Sequence, residues 1–209
     1  MAPVLFFESI SIPLPRKNIY RRLGFAKGVT NVPASQQEEI EKYIGDASSL
    51  VHLKGAGLRI PITEIKDATI ILSDGAEFES RQLVKLLTGC NEMVLMGATT
   101  GREIMDAIEA DTTGANVTRG IVLDAAASEI VDAALNWIMD YFNQSVRREN
   151  RRLLGKRYSA GYGDLCLETQ KAMYRLLHLD RIGIEITESS ILIPEKSVTA
   201  ITGIKAQSS

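Results

Sequence analysis

Residues 124–142 read DAAASEIVDAALNWIMDYF. Val131, Leu135, Ile138 and Phe142 recur at i, i+4, i+7 and i+11, the spacing that holds apolar side chains on one face of an α-helix. Ser128, Asp132, Asn136 and Asp140 repeat every fourth residue along one flank, so the same helix carries a polar stripe. This is the most strongly periodic segment of the chain. Downstream, residues 165–178 predict another helix. Residues 182–193 and 198–204 read as two strands joined by a turn at Pro194-Glu195-Lys196-Ser197.

Upstream, residues 93–96 predict a buried strand and residues 78–87 an amphipathic segment. Residues 58–65 and 69–72 read as strands, with a hairpin at Asp67-Ala68. Ile40, Tyr43, Ile44, Leu50 and Val51 predict a helix over 36–53. Residues 4–12 read as a strand stopped by Pro13 and Pro15, followed by a short helix over 16–23. Thr112 or Thr113 is the expected cap of the next helical stretch. Strands crowd both ends while helices fill the middle. That layout predicts an α+β fold: one domain over residues 1–209, a mainly antiparallel sheet flanked by helices.

The 209 residues are 45% hydrophobic and 24% charged, which excludes wholesale disorder. Lys and Arg number 24 against 26 Asp and Glu, a net charge of −2, so a generally basic nucleic-acid binder is disfavoured. No uncharged apolar run approaches the roughly 18 residues of a membrane span. The opening MAPVLFFESI lacks a basic stretch and meets Glu8 too early for a signal peptide. Two cysteines, Cys90 and Cys166, make no disulfide framework and suit a reducing compartment. A soluble cytoplasmic protein, with neither nucleic acid nor membrane as partner, is the expectation. His52 and His178 have no Cys, Asp or Glu at ligand spacing, so no metal site is expected.

Three segments carry candidate chemistry. Gly97-Ala98-Thr99-Thr100-Gly101-Arg102 stands where a strand feeds a helix. It reads first as a tight turn with a threonine N-cap and second as an anion cradle of backbone N–H groups. Arg147, Arg148, Arg151, Arg152, Lys156 and Arg157 put six cations in eleven positions, against the single acid Glu149. If helical, the first four share one side, either a solvated face or a docking face for an anionic surface. Arg157-Tyr158-Ser159-Ala160-Gly161-Tyr162 joins a forked cation, a flexible glycine and an aromatic ring. The guanidinium can take a carboxylate in two parallel hydrogen bonds, the backbone near Gly161 can serve polar edges, and the Tyr162 ring can face a cation.

Arg157-x-x-x-Gly161-Tyr162, followed by an amphipathic helix and then by Thr187-Glu188-Ser189, resembles the activation (reactivation) domain of cobalamin-dependent methionine synthase. The match continues through Pro194, Ser197 and Val198 and is strongest over residues 120–204. The resemblance implies a module that binds S-adenosylmethionine and presents its methyl group to the cobalt of an inactivated cobalamin under reduction. It implies that Arg157 and Tyr162 are ligand-binding, that Ser159 and Gly161 contribute main-chain groups, and that Asp132 falls where the family has a ligand-binding Glu. Tyr158 and Ala160 stand where the family usually carries prolines, and no counterpart of its early acidic contact is found in the first hundred residues.

The family's cobalamin-binding Asp-x-His-x-x-Gly pattern is absent. The resemblance therefore implies a free-standing form: cobalamin reaches it only through a partner, a methionine synthase or another corrinoid protein, with a flavodoxin-type reductant as a further partner. Such a chain has no catalytic residue of its own and supplies the methyl-donor half of a methyltransferase site. The alternative is a docking module of the same fold that binds a corrinoid protein without S-adenosylmethionine.

Overall fold

The structure, a computed structural model, describes residues 3–25, 33–114 and 116–206. In chain order the elements are β1 (Leu5–Phe7), α1 (Arg16–Arg22), α2 (Ala34–Leu50), β2 (Lys54–Lys66), β3 (Thr69–Leu72), β4 (Glu77–Glu79), α3 (Arg81–Leu87) and β5 (Glu92–Thr99). They continue as α4 (Glu103–Thr113), α5 (Val117–Arg147), β6 (Arg151–Leu153), α6 (Thr169–Leu177), β7 (Glu185–Ile186), β8 (Leu192–Ile193) and β9 (Ser197–Ala206), with a 3₁₀ turn at Leu179–Ile182. The fold is α+β. Among the described residues one antiparallel sheet runs β4-β3-β2-β5-β9-β6, with β1 also paired to β2.

Both faces of this sheet are covered. Val94, Met96 and Ala98 of β5 point, with Ala200 and Ile204 of β9, into a core shared with α2, α4 and α5. Met93 and Leu95 alternate to the other face, where Ile201 meets Leu83 and Leu87 of α3 and Met173 and Leu177 of α6. That two-sided burial is why residues 93–96 are apolar without interruption.

Helix α5 organises the first face. Val131, Leu135, Ile138 and Phe142 are all buried, as their spacing predicts. It sits close to the sheet because β2 offers glycine beneath it. A side chain on Gly55 would come within 2.7 Å of Ile138 Cδ1, and one on Gly57 would strike the Phe142 ring. Phe7 then closes the end of this layer, with its ring edge-on to Trp137 and Tyr141 at centroid distances of 5.1 and 5.0 Å.

Several local expectations are corrected. β1 covers only Leu5–Phe7, because β2 begins at Lys54 and the register Leu5↔Gly57, Phe7↔Gly55 exhausts its partner. Beyond it, Ile10 N–H still donates to Leu53 at 3.0 Å. Helix α2 starts at Ala34 and stops at Leu50, since Val51 is extended (φ −88°, ψ 125°). β2 starts before residue 58, its weak strand formers Gly55-Ala56-Gly57 being held between β1 and β5. Residues 78–87 divide between β4 and α3.

Gly97–Thr99 remain in β5, and α4 begins at Glu103 with no side-chain cap. The Thr100 N–H and hydroxyl both donate to Lys196 O, and Gly101 N–H donates to Thr99 Oγ1. These groups tie β5 to the start of β9 instead of capping a helix or cradling an anion. Thr112 and Thr113 close α4, their hydroxyls donating back to Ile108 and Glu109 carbonyls at 2.7 Å. Asn116 caps α5 by accepting from Arg119 N–H.

Residues 165–178 are helical only from Thr169, and residues 182–193 do not form one strand. Positive φ at Gly183 (81°) and Ser190 (68°) breaks that run, and β7 and β8 pair with each other as a small hairpin. β9 lies apart from them, between β5 and β6.

The arginine cluster is divided as well. Helix α5 ends at Arg147, Asn150 takes φ 55°, and Arg151 and Arg152 lie on edge strand β6. Arg151 and Arg59 both grip Glu92, and Arg59 also donates to Glu149 at 2.6 Å. Burial pushes the Glu92 carboxyl upward, but the hydrogen bonds from Arg59 and Arg151 outweigh it and hold the group below the usual range.

Gly57→Ala is expected to lower stability by about 1–3 kcal/mol, the ordinary cost of forcing a methyl into a packed contact. Thermal unfolding of the two proteins checks this. An unchanged Tm would show that α5 does not need its close seat on β2.

Candidate functional site

The polar stripe of α5 faces a loop and a strand start that come from far along the chain. Lys196, just before β9, donates to Ser128 Oγ at 2.9 Å and pairs with Asp124 at 2.6 Å. Two turns further along α5, Arg157 donates through Nη2 to Asp132 Oδ1 and through Nη1 to Asn136 Oδ1. Met139 Sδ lies 4.0 Å from the same Nη1. Asp140, the last residue of the stripe, is exposed, and among the described residues it makes no ion pair.

Between these two anchors lies an open cleft of about 360 Å³. Asp132 and Leu135 of α5 form one wall, and Arg157-Tyr158-Ser159-Ala160 with Tyr162 form another. Ser197, Val198 and Thr199 of β9 and Gln170 of α6 complete it. Four of the five sequence-predicted site residues, Asp132, Arg157, Ser159 and Tyr162, therefore line one cavity. Gly161 does not line it. It makes the turn behind the wall, with φ 83° and its N–H donating to Leu165 O at 2.9 Å.

Charge and exposure differ sharply among these groups. The Arg157 side chain is 20% exposed and that of Asp132 51%. Tyr162 is 69% exposed, its ring projecting at the rim. Arg157 has five N–H donors, and three of them engage Asp132, Asn136 and Met139. Among the described residues neither its Nε–H nor its remaining Nη2–H finds an acceptor, and the same holds for the backbone N–H groups of Ser159 and Ala160.

The loop that carries these groups is stiffened from behind. Tyr158 exchanges backbone hydrogen bonds with Ile201 (2.8 and 2.7 Å), which extends the sheet edge into the site. The Tyr158 hydroxyl meets Gln82 Oε1 at 2.8 Å and Tyr162 O at 3.0 Å. Gly163 is the residue over which this hydroxyl passes: any side chain there would occupy the space of Tyr158 Oη and Gln82, and φ is 55°. Asp164 then accepts from Ser80 Oγ at 2.5 Å and from Arg81 N–H at 2.8 Å, at the start of α3. The Ser80 hydroxyl and these backbone donors hold the Asp164 carboxyl below its usual range.

Sequence reasoning missed Gln170, which accepts from Thr199 Oγ1 at 2.8 Å and donates to Ser190 O at 3.2 Å, and it missed Asn136 as a partner of Arg157. The only available signal for Asn136 was its place on the polar stripe. Thr187-Glu188-Ser189 lies on the β7–β8 hairpin, outside the cleft lining. Thr187 N–H donates to Ile191 O, and Lys171 donates to Glu188 O at 2.5 Å. A second cleft, about 370 Å³, opens at the far end of the sheet between Asn91, Glu92, Glu149 and Arg151, whose charges already satisfy one another.

No protein-family profile matches this chain, and no curated protein does. Among solved structures it is similar to the crystal structure of the MetH reactivation domain bound to AdoHcy. The TM-score is 0.69 over 99% of this chain and 80% of that one, at 14% sequence identity. The chain has the fold of that reactivation domain. Among the described residues no helix is long and apolar enough to cross a membrane.

Asp164→Asn is expected to lower the Tm at neutral pH by loosening loop 158–165 from α3. A carboxylate whose folded pKa is depressed stabilises above its unfolded value near 3.9, and that advantage goes as pH falls through the lower folded value. The Tm gap between wild type and variant should therefore close in acid. A gap that stays constant from neutral pH to about pH 3 would contradict this role for Asp164.

Proposed function

We propose that this chain binds S-adenosylmethionine in the α5 cleft and serves as an accessory module for remethylating the cobalamin of a separate methionine synthase or related corrinoid protein. The observation that carries the reading is the convergence of Asp132, Arg157, Ser159 and Tyr162 on one cleft of a fold shared with a reactivation domain bound to AdoHcy. The motif resemblance at Arg157–Tyr162 supports the same conclusion independently of the fold.

The residues present fit the amino-acid end of such a ligand. The cleft lies at the low end of the range for small-molecule sites, roughly 300–1,000 Å³. The two open N–H groups of Arg157 lie along one edge of its guanidinium and can receive a carboxylate in two parallel hydrogen bonds. Asp132 spends Oδ1 on Arg157, and its half-exposed carboxylate keeps Oδ2, which has no partner among the described residues, for the ligand's ammonium. The free N–H groups of Ser159 and Ala160 can take the ligand's acceptors, and the exposed Tyr162 ring offers a face to a cation.

When bound, S-adenosylmethionine supplies a methyl group activated by its sulfonium. The chain's own contribution is positioning, holding the ligand by its amino-acid end in an open cleft where a partner can approach. The whole span of residues 1–209 then works as one domain, cobalamin is reached only through the partner, and a flavodoxin-type protein supplies the electrons.

A second reading keeps the fold and drops the ligand. Its support is a basic edge without ion pairs among the described residues: Arg152 faces Lys205 directly across the β6–β9 ladder, beside exposed Arg147 and Arg148. Like charges placed opposite each other are unfavourable in isolation. They suit docking on an anionic surface of a corrinoid protein, with association that weakens as salt rises.

Isothermal titration calorimetry with S-adenosylmethionine, and S-adenosylhomocysteine as control, separates the two. The expected result is saturable 1:1 binding, weakened roughly 10- to 100-fold by Arg157→Ala in a variant that still unfolds cooperatively, as for the loss of a charged hydrogen-bond partner. No heat and no thermal shift at millimolar ligand would overturn the first reading and leave salt-sensitive docking.

A further inference from the structure

Arg157 does not reach the cleft as a free side chain. Its Nη1 and Nη2 are held by Asn136 and Asp132, two acceptors one helical turn apart on α5, and Met139 follows on the same side. Two neighbouring acceptors on one helix face, one on each terminal nitrogen, match an end-on grip of the guanidinium fork. The side of the fork, Nε–H with the second Nη2–H, is left without an acceptor among the described residues. A planar group gripped at one edge presents the other in a set direction, and an arginine already ordered loses less entropy when it meets a ligand.

Asn136 itself is exposed and does not line the cleft. Its amide has no other side-chain partner among the described residues, and Oδ1 serves only Arg157. Among the described residues the grip on Arg157 is thus the one side-chain hydrogen bond that Asn136 makes.

We infer that Asn136 is a positioning residue: with Asp132 it fixes the Arg157 guanidinium so that its side edge selects ligands bearing a carboxylate. This rests on the ligand-binding reading above and extends it to the part of the ligand that the site discriminates. Asn136 makes no contact with the ligand. It acts through Arg157, and its removal lets the guanidinium swing while leaving the other lining residues in place.

The test compares two ligands that differ only in the carboxylate: S-adenosylhomocysteine and 5′-(3-aminopropylthio)-5′-deoxyadenosine, which keeps the thioether and the amine. Wild type should bind the first more tightly. Asn136→Ala should lower affinity for S-adenosylhomocysteine by roughly tenfold, the order of one hydrogen bond to a charged group, and leave the aminopropyl analogue and the Tm unchanged. A general loosening of the cleft would weaken both ligands alike and leave their ratio as it was. An unchanged ratio in a variant that still binds would overturn the inference and leave the ligand assignment standing. Failure of the wild type to bind either ligand, or S-adenosylmethionine, would overturn both.

Discussion

The seating of α5 on the sheet is the constraint from which the rest follows. Its apolar face needs a partner along its whole length, and β2 supplies one only because Gly55 and Gly57 leave room for Ile138 and Phe142. Once that face is buried, the rotation of the helix is set. The flank one side of it, Asp124-Ser128-Asp132-Asn136, must then lie along the sheet edge where β9 begins. Lys196 and Arg157 arrive at that flank from opposite ends of the cleft. Packing thus decides where polar chemistry is possible, and the cleft is the gap left between two ionic anchors.

The remaining walls are built to resist movement. Tyr158 joins the sheet through Ile201, Asp164 secures the loop to the start of α3, and Gln170 links α6 to both β9 and the β7–β8 hairpin. Each contact is long-range in sequence, so the cleft exists only in the folded chain. A group that holds a small ligand gains from such stiffness, because less freedom is lost on binding.

Much of this was legible where periodicity is strong. The apolar positions of α5 and the polar stripe beside them follow from spacing alone, as does the α+β layout. The errors have local physical causes. Residues 182–193 alternate like a strand, yet Gly183 and Ser190 each turn the chain through positive φ. The arginines after 147 keep helical spacing, yet Asn150 ends the helix and sends Arg151 to Glu92. Gly55-Ala56-Gly57 reads as poor strand, and the close approach of α5 is what requires those glycines. The motif at Arg157–Tyr162 picked out a loop whose residues Arg157, Ser159 and Tyr162 line the cleft. Asn136, which holds Arg157, and Gln170 and Asp164, which brace the walls around it, were not legible, since their contacts form by tertiary approach across 21 to 84 residues.

The most direct measurement is a crystal structure of the chain with S-adenosylhomocysteine. The ligand is expected between α5 and loop 157–162, its carboxylate on the Nε and Nη2 edge of Arg157 and the Asn136 contact intact. A ligand bound elsewhere, or a carboxylate that displaces Asn136 from Arg157, would contradict this placement.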